Sequence, residues 1–525
     1  MPSLTIDHRT VPFEPGETLL QVAARTGIAI PTLCHYPGIE SPTSCFVCVV
    51  KICGRGALAP SCATRAEEGM VVESDTEEVR LFRRKALELL MSEHAGDCEA
   101  PCTRVCPADL DISAMARHVF DGDLERAVRT VRERLALPGV LGYICPAPCE
   151  KGCRRSAADG AVSIRALHRG VAEAEYAAGT PALTARPASG KRVAVVGAGP
   201  AGLSCAYYLA RLGHACVVFD GQEAPGGLLR YGIDRAALPA EVLDRDIEEI
   251  RRLGVAFRMG ETVADQNALD GLARSFDAVV LATGTPVSGQ PWPWGLRTAG
   301  PCVAVETGTF ASSRSGVFAC GGVIAVCRMA SRAVGQGRLA ALSAHRFLTA
   351  DAAVPPTASA RSDSRLGKLE PEELRQLVET DLASRGAGGK NGGPFPAALV
   401  AAAGRCLQCD CGKKQSCALR AYAREYGVDR DRYRTGSRKP AARTRCADRL
   451  MVESGKCIDC GRCVGIAAAD HLRPGVTFCN RGFDVAVKVP FGADMEVALG
   501  AELDRCIAAC PVGALWNWKR QDGTR

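Results

Sequence analysis

Of the 525 residues, 27 are cysteine, and their spacing is the first sign of chemistry. Eighteen of them gather in five groups. Cys34, Cys45, Cys48 and Cys62 form the first, Cys98, Cys102 and Cys106 the second, and Cys145, Cys149 and Cys153 the third. Cys406, Cys409, Cys411 and Cys417 form the fourth; Cys457, Cys460 and Cys463 begin the fifth, with Cys510 at a distance. Thiolates this close together reach a shared inorganic core, and an iron–sulfur cluster is usually held by four of them. Zinc is the rival, because C-x2-C pairs also build zinc ribbons. A ribbon uses two well-formed pairs, whereas triplets and a remote ligand prevail here, so the set as a whole points to iron–sulfur. At RCLQCDCGKKQSC both a [4Fe–4S] cluster and a zinc ion fit.

The second constellation is rich in glycine. In KRVAVVGAGPAGLSCAYYLARLGHACVVFD, Gly197, Gly199 and Gly202 form G-x-G-x-x-G with Pro200 and Ala201 between them. The text reads strand, loop, helix, strand. The first two glycines allow a tight turn and close approach to a pyrophosphate, and the third allows helix and strand to pack closely. The helix N-terminus favours the negative charge. Asp220 ends the second strand, where a carboxylate accepts hydrogen bonds from a ribose. The loop alone does not separate FAD from NAD. No nucleophile–base constellation is visible, so hydrolytic chemistry has no support.

The elements that must position these groups fall into several domains. At this length three or four are expected, and 47% hydrophobic with 23% charged residues is ordinary globular composition. No apolar run approaches a membrane span, and no export signal is visible at MPSLTIDHRTVPFEPG. A cytoplasmic chain is therefore expected, in which cysteines serve metal or redox chemistry rather than disulfides. A net charge of +7 gives no case for nucleic acid. The expected fold class is multidomain α/β plus α+β.

Residues 1–80 read as strand 3–11, a helix in TLLQVAARTG and short strands at VVKI and MVVES. With IPTLCHYPG, SCFVCVV and APSCATRAEEGMVV, this resembles the β-grasp [2Fe–2S] domain of the electron-input subunit of respiratory complex I and of iron hydrogenases. Ser44 departs from the glycine common before the second cysteine. Residues 81–187 open with an amphipathic helix, LFRRKALELLMSEHAG, and lead through Cys106-Pro107 to ICPAPCEKGCRR and VSIRALHRG. They resemble the helical domain, with two [4Fe–4S] clusters, of the glutamate synthase small subunit, dihydropyrimidine dehydrogenase and NADH-dependent ferredoxin:NADP oxidoreductase. The resemblance implies interleaved ligands: Cys98, Cys102 and Cys153 for one cluster, Cys106, Cys145 and Cys149 for the other. His168 and His94 are the candidates for the missing fourth places, or else are surface or supporting groups.

Residues 188–350 resemble the FAD domain of the same family. The matching segments are GGLLRYGI (Gly226, Gly227, Leu228, Arg230, Tyr231), FDAVVLATGT (Thr283, Gly284), GVFACGGV (Gly321, Gly322) and AVGQGRLAA (Gln336). Gly322 stands where the family usually has an aspartate that bonds the ribityl chain. The family also inserts a nicotinamide-binding Rossmann unit after the ATG strand. Here about 30 residues separate Gly284 from Gly316, too few for a βαβ unit. A flavin without its own nicotinamide site is expected. Residues 351–400 read as a linker with one helix at PEELRQLVETDLASR, and 401–445 as a cysteine-rich [4Fe–4S] segment. Residues 446–525 resemble a two-cluster ferredoxin, through GKCIDCGRCVG and RCIAACPVGAL. That resemblance implies one cluster on Cys457, Cys460, Cys463 and Cys510. The second would need cysteines at Ala467, Gly500 and Leu503, so it is expected to be lost, leaving Cys506.

The mosaic implies one FAD, one [2Fe–2S] and about four [4Fe–4S] clusters. It implies an electron-transfer subunit of a multi-subunit oxidoreductase, relaying electrons between a NAD(P)H-handling partner and a ferredoxin, hydrogenase or dehydrogenase. Flavin-based bifurcation is known among relatives of the flavin module. The alternatives are a self-sufficient NAD(P)H:acceptor oxidoreductase and a passive wire or scaffold with a structural flavin.

Overall fold

The computed structural model describes all residues except 180–183, 287–290, 350–362, 386–392, 435, 437, 469–474 and 519–525. The chain divides into two units: residues 1–99, 360–384 and 409–525, and residues 100–359 and 385–408.

The first unit begins with alternating apolar residues that pair as strands. Ser3–Ile6 runs antiparallel to Arg9–Pro12 and parallel to Val71–Glu73, and the sheet continues through Val49–Ile52 to Ala59–Pro60. The helix Leu19–Arg25 starts at a reciprocal cap: the Gln21 amide donates to Thr18 Oγ1 and the Thr18 amide to Gln21 Oε1. Its Leu19 and Val22 pack with Leu4, Ile6, Val50 and Val72. The expected amphipathic helix spans Glu77–Glu93, capped by Thr76. Later in the unit, Arg443–Cys446, Leu450–Glu453 and Leu515–Asn517 form an antiparallel sheet, and Thr477–Cys479 pairs with Ala486–Lys488. Ala467, Leu503 and Cys506 are buried in one apolar cluster with Ile466, Leu450 and Leu499.

The second unit opens with short helices. Leu124–Arg132 and Pro138–Ile144 both pack on Ile164–Ala178, and Pro101–Val105 packs on Pro148–Lys151. A parallel sheet follows in the order Val317–Ala319, Ala278–Leu281, Arg192–Val196, Ala215–Asp220, Ala256–Met259. The inner strands are almost wholly buried, which suits a parallel sheet covered on both faces. The helices Pro200–Arg211 and Ala330–Thr349 pack together beside it. Between Leu281 and Val317 the described residues hold only a two-stranded ribbon, Thr298–Ala299 with Cys302–Val303, and Val317–Ala319 pairs directly with Ala278–Leu281. Trp294 is buried there and donates from Nε1 to the Val263 carbonyl at 3.0 Å.

Of the expected 351–400 linker, 351–362 and 386–392 lie outside the described residues. The rest is structured. Asp363, Ser364 and Leu366 are buried, and helices span Pro371–Arg385 and Ala397–Gly404. Among the described residues no helix is long and apolar enough to cross a membrane.

Candidate functional site

The dinucleotide loop is built by close backbone approach. Gly197 has φ 109°, and its amide donates to the Phe219 carbonyl at 2.7 Å. A Cβ on Gly202 would lie 1.8 Å from the Gly197 carbonyl oxygen, so no side chain fits there. Asp220 ends the strand Ala215–Asp220 and ties down the loop from there. Its Oδ2 accepts the Ala198 amide at 2.6 Å and its Oδ1 the Gln222 amide at 2.9 Å, so the carboxylate fastens the loop. The Gly226 amide donates to the Ala198 carbonyl at 2.9 Å, and a Cβ on Gly227 would stand 2.9 Å from Gly199 Cα. Arg230 is occupied with the Pro225 carbonyl and Asp244, and so holds that turn. Leu228 and Tyr231 are exposed. Gln336 Oε1 accepts the Gly321 amide at 3.0 Å. Beside the loop, Thr283 Oγ1 is buried without a hydrogen-bond partner. An open cradle of bare glycines with an unanswered hydroxyl at its edge fits a bound dinucleotide.

Gly322 is explained by a neighbour the sequence did not flag. A Cβ there would lie 2.7 Å from the Thr285 amide nitrogen, 2.8 Å from Thr285 Oγ1 and 3.0 Å from the Gly284 carbonyl carbon. Residues 284–285 occupy the space that an aspartate side chain would need.

In the first unit, Cys34, Cys45, Cys48 and Cys62 converge. Cys34 lies within hydrogen-bonding reach of Cys45 and Cys62, and Cys48 of Cys62. The neighbouring thiols and the Ser44 and Cys45 amides hold Cys34 well below the usual thiol range, and Cys62 and Ser61 bring Cys48 down to about 7. Cys45 and Cys62, the donors of these pairs, are raised. Thr43 and Phe46 take positive φ, 54° and 52°, whereas Ser44 does not, so the turn does not need glycine at 44.

Cys457, Cys460, Cys463 and Cys510 act on one another's charge and line one cavity of about 750 Å³. Burial pushes Cys460 up to about 12 and raises Cys457 and Cys463. Cys98 is raised to about 12 by burial and by the charges of Cys411 and Asp363, and its sulfur accepts the Ser364 amide at 3.3 Å. Cys417 is raised to about 11 by burial and by Cys411. His94 is buried, and burial and the Lys456 ammonium hold it down to about 4. It bonds the Lys456 backbone and leaves Nδ1 unpartnered.

In the second unit, Cys106, Cys145 and Cys149 form a mutually interacting set, with Cys106 raised by burial and Cys149 raised by burial and by both other thiols. Cys102 and Cys153 sit at the packed helices Pro101–Val105 and Pro148–Lys151. His168 is buried, bonds the Pro138 backbone, leaves Nδ1 unpartnered and is held down to about 4 by burial. A neutral imidazole with a free nitrogen is the form that ligates metal. Among the described residues no group of three or more His, Cys, Asp or Glu has the geometry of a single-ion site.

Three family models match the chain: a 2Fe-2S iron–sulfur cluster binding domain at 2–77, dihydropyrimidine dehydrogenase domain II with its 4Fe-4S cluster at 75–180, and an NAD(P)-binding Rossmann-like domain at 195–244. The chain is similar to NADP(+)-dependent formate dehydrogenase subunit beta of Moorella thermoacetica, 39% identical over 36% of this chain and 30% of that one. It is 37% identical to NADPH-Fe(3+) oxidoreductase subunit beta of Geobacter sulfurreducens, over 35% and 28% of the two chains. It is 35% identical to the glutamate synthase [NADPH] small chain of Mycobacterium tuberculosis, over 36% and 39%. The match spans less than half of each relative. The chain thus carries a [2Fe–2S] domain, a [4Fe–4S] domain and a Rossmann-like dinucleotide domain, and its relatives are oxidoreductase subunits.

Proposed function

We propose that the chain is an FAD- and iron–sulfur-containing electron-transfer subunit of a cytoplasmic multi-subunit oxidoreductase. It relays electrons between a NAD(P)H-handling partner and a ferredoxin, hydrogenase or dehydrogenase. Its cofactors are one FAD, one [2Fe–2S] and about four [4Fe–4S] clusters. The observation that carries this reading is a single apolar core in the first unit. Cys34 and Cys45, Cys417, and Cys460 with Cys457 and Cys510 all pack into it with Leu33, Met91, Leu419 and Val512. Three cysteine sets in one apolar core offer a route for single electrons.

On this reading the flavin exchanges electrons in ones or twos and the clusters pass them singly. The chain's own work is to hold the glycine loop with Asp220, to offer Thr283 and the Pro200–Arg211 N-terminus to the dinucleotide, and to keep the cluster thiols out of water. The short ribbon between Leu281 and Val317 supports a flavin fed by a partner rather than by a nicotinamide bound to this chain. The test is an anaerobic titration of the purified holoprotein, followed by visible and EPR spectra. Dithionite is expected to reduce all centres, and NADH or NADPH alone none. Prompt bleaching by either nucleotide would establish the self-sufficient oxidoreductase instead. A flavin that no physiological donor reduces reversibly would leave only the scaffold reading.

A further inference from the structure

The cysteine-rich segment reads in sequence as one contiguous motif, yet its two ends are held in different surroundings. Cys406 belongs to the second unit. There the buried Arg155, two residues after Cys153, donates to the Arg405 carbonyl at 2.8 Å. Arg405 in turn donates to the carbonyls of Asp159, Gly160 and Ala161 at 2.9, 2.7 and 3.2 Å. Gln408 is pinned on the other side. Its Nε2 donates to the Ser113 carbonyl at 3.0 Å and its Oε1 accepts Arg117 at 3.0 Å. The preceding Ile112 amide donates to Thr103 Oγ1, next to Cys102, at 3.4 Å. Six hydrogen bonds to residues 405 and 408 thus set Cys406 between the loops that carry Cys102 and Cys153.

Cys411 and Cys417 belong to the first unit, as does Cys98. The Cys411 amide donates to the Cys98 carbonyl at 3.3 Å. Arg420, one turn into the helix that Cys417 caps, pairs with Glu99 at 3.1 Å and with Asp363 at 2.7 Å. Its amide donates to Cys417 Sγ at 3.5 Å. One arginine therefore ties the Cys417 turn to the Cys98 turn, while Ser364 donates to the Cys98 sulfur. The change of direction falls at Gln408, which has φ 48°, a conformation that costs an ordinary side chain of order 1 kcal/mol and persists only where the surroundings fix it.

We propose that segment 406–417 is divided between two clusters: Cys406 joins Cys102 and Cys153, and Cys411 and Cys417 join Cys98. The inference rests on the reading of these cysteines as cluster ligands and replaces the assignment of Cys98 to the Cys102 and Cys153 cluster.

The test uses anaerobically purified full-length chain with Cys98→Ala, Cys411→Ala, Cys417→Ala, Cys406→Ala and Cys102→Ala. Iron, sulfide and the EPR spectrum after dithionite are read, with bound flavin as the measure of folding. C98A, C411A and C417A are expected to lose one and the same signal, with about four irons. The C98A/C411A double variant should lose no more than either single. C406A is expected to lose a different signal, the one C102A loses. If C406A and C411A share a signal that C98A retains, the segment holds one contiguous cluster and the proposal is wrong. A wild-type chain without iron would instead overturn the functional reading on which it rests.

Discussion

Restoring an aspartate at position 322 should weaken flavin binding rather than improve it. Resemblance to the flavin module makes Gly322→Asp look like a repair. The structure argues the reverse. Its Cβ alone would stand 2.7 and 2.8 Å from two atoms of Thr285 and 3.0 Å from the Gly284 carbonyl carbon. Ordinary van der Waals contact for such pairs begins near about 3.5 Å, so backbone at 284–285 must retreat by several tenths of an ångström. Overpacking of this kind costs about 1–3 kcal/mol. If the displaced residues line the flavin site, that cost appears as a roughly 5- to 150-fold weaker Kd. Gly322→Ala carries the same Cβ without the carboxylate and should lose most of the same affinity. The assay is reconstitution of the flavin-free chain with FAD, followed by quenching of flavin fluorescence. G322D binding as tightly as wild type, or tighter, would refute the reasoning. G322A unchanged with G322D weakened would place the cost in the charge and not in the backbone approach.

Further outcomes follow from other sites. Arg132 is buried against Glu175 at 2.9 Å and Asp246 at 3.3 Å, and Asp246 also takes the Tyr176 hydroxyl and the Val140 amide. Arg132→Met should destabilise the second unit by about 3–5 kcal/mol, read from the urea midpoint. Burial already raises the pKa of both carboxylates, so the deficit should shrink as pH falls and they protonate. His214 accepts or donates at Ser189 and His345 and is held down to about 4 by burial and by His345. A histidine kept neutral when folded lets the unfolded chain bind more protons below about pH 6.5. Thermal stability should therefore fall from about pH 6.5 toward 4, less steeply in His214→Gln. Cys506→Ala should leave iron and sulfide unchanged because Cys506 sits among Leu503, Ala467 and Ile466, whereas Cys510→Ala should lose about four irons.

What could be read from sequence was what is local. The glycine loop shows because strand, turn and helix lie within one stretch, and the structure places each of them as expected. Cys457, Cys460 and Cys463 stay close for the same reason, Cys463 in the helix Arg462–Ala467 and the other two in the loop before it. The contacts that bring Cys411 and Arg420 to the Cys98–Glu99 turn were hidden because they come from the far end of the chain, through a carbonyl and an arginine that carry no motif. Asp220 was placed correctly on its strand, but its bond to Ala198 depends on how the loop folds back. The need for glycine at 322 comes from Thr285 on a neighbouring strand end, a contact that period and spacing do not encode. Residues 363–366 read as linker because the stretch they belong to is rich in Ala, Pro, Ser and Gly. Their burial comes from bonds to Asp97, Gly96 and Cys98.

The thiol environments set an order in which the sites can be filled. An iron–sulfur core binds thiolate, so each ligand must give up its proton, and loading depends on pH. In the N-terminal set, Cys34 is held low and Cys48 sits at about 7. Hydrogen bonds from the neighbouring thiols thus favour the thiolate at Cys34 and Cys48 before any metal arrives. In the C-terminal set, burial raises Cys457, Cys460 and Cys463, with Cys460 at about 12. Those sulfurs are neutral thiols until iron displaces their protons. Cys45 and Cys62 are raised as well, so titrating anaerobic reconstitution against pH should start iron uptake at Cys34 and Cys48 at the lower pH, with the Cys457–Cys510 site following at a higher one. Visible absorption and EPR distinguish the two products. The same midpoint for both would mean that access of iron and sulfide, and not the charge state of the thiols, governs assembly.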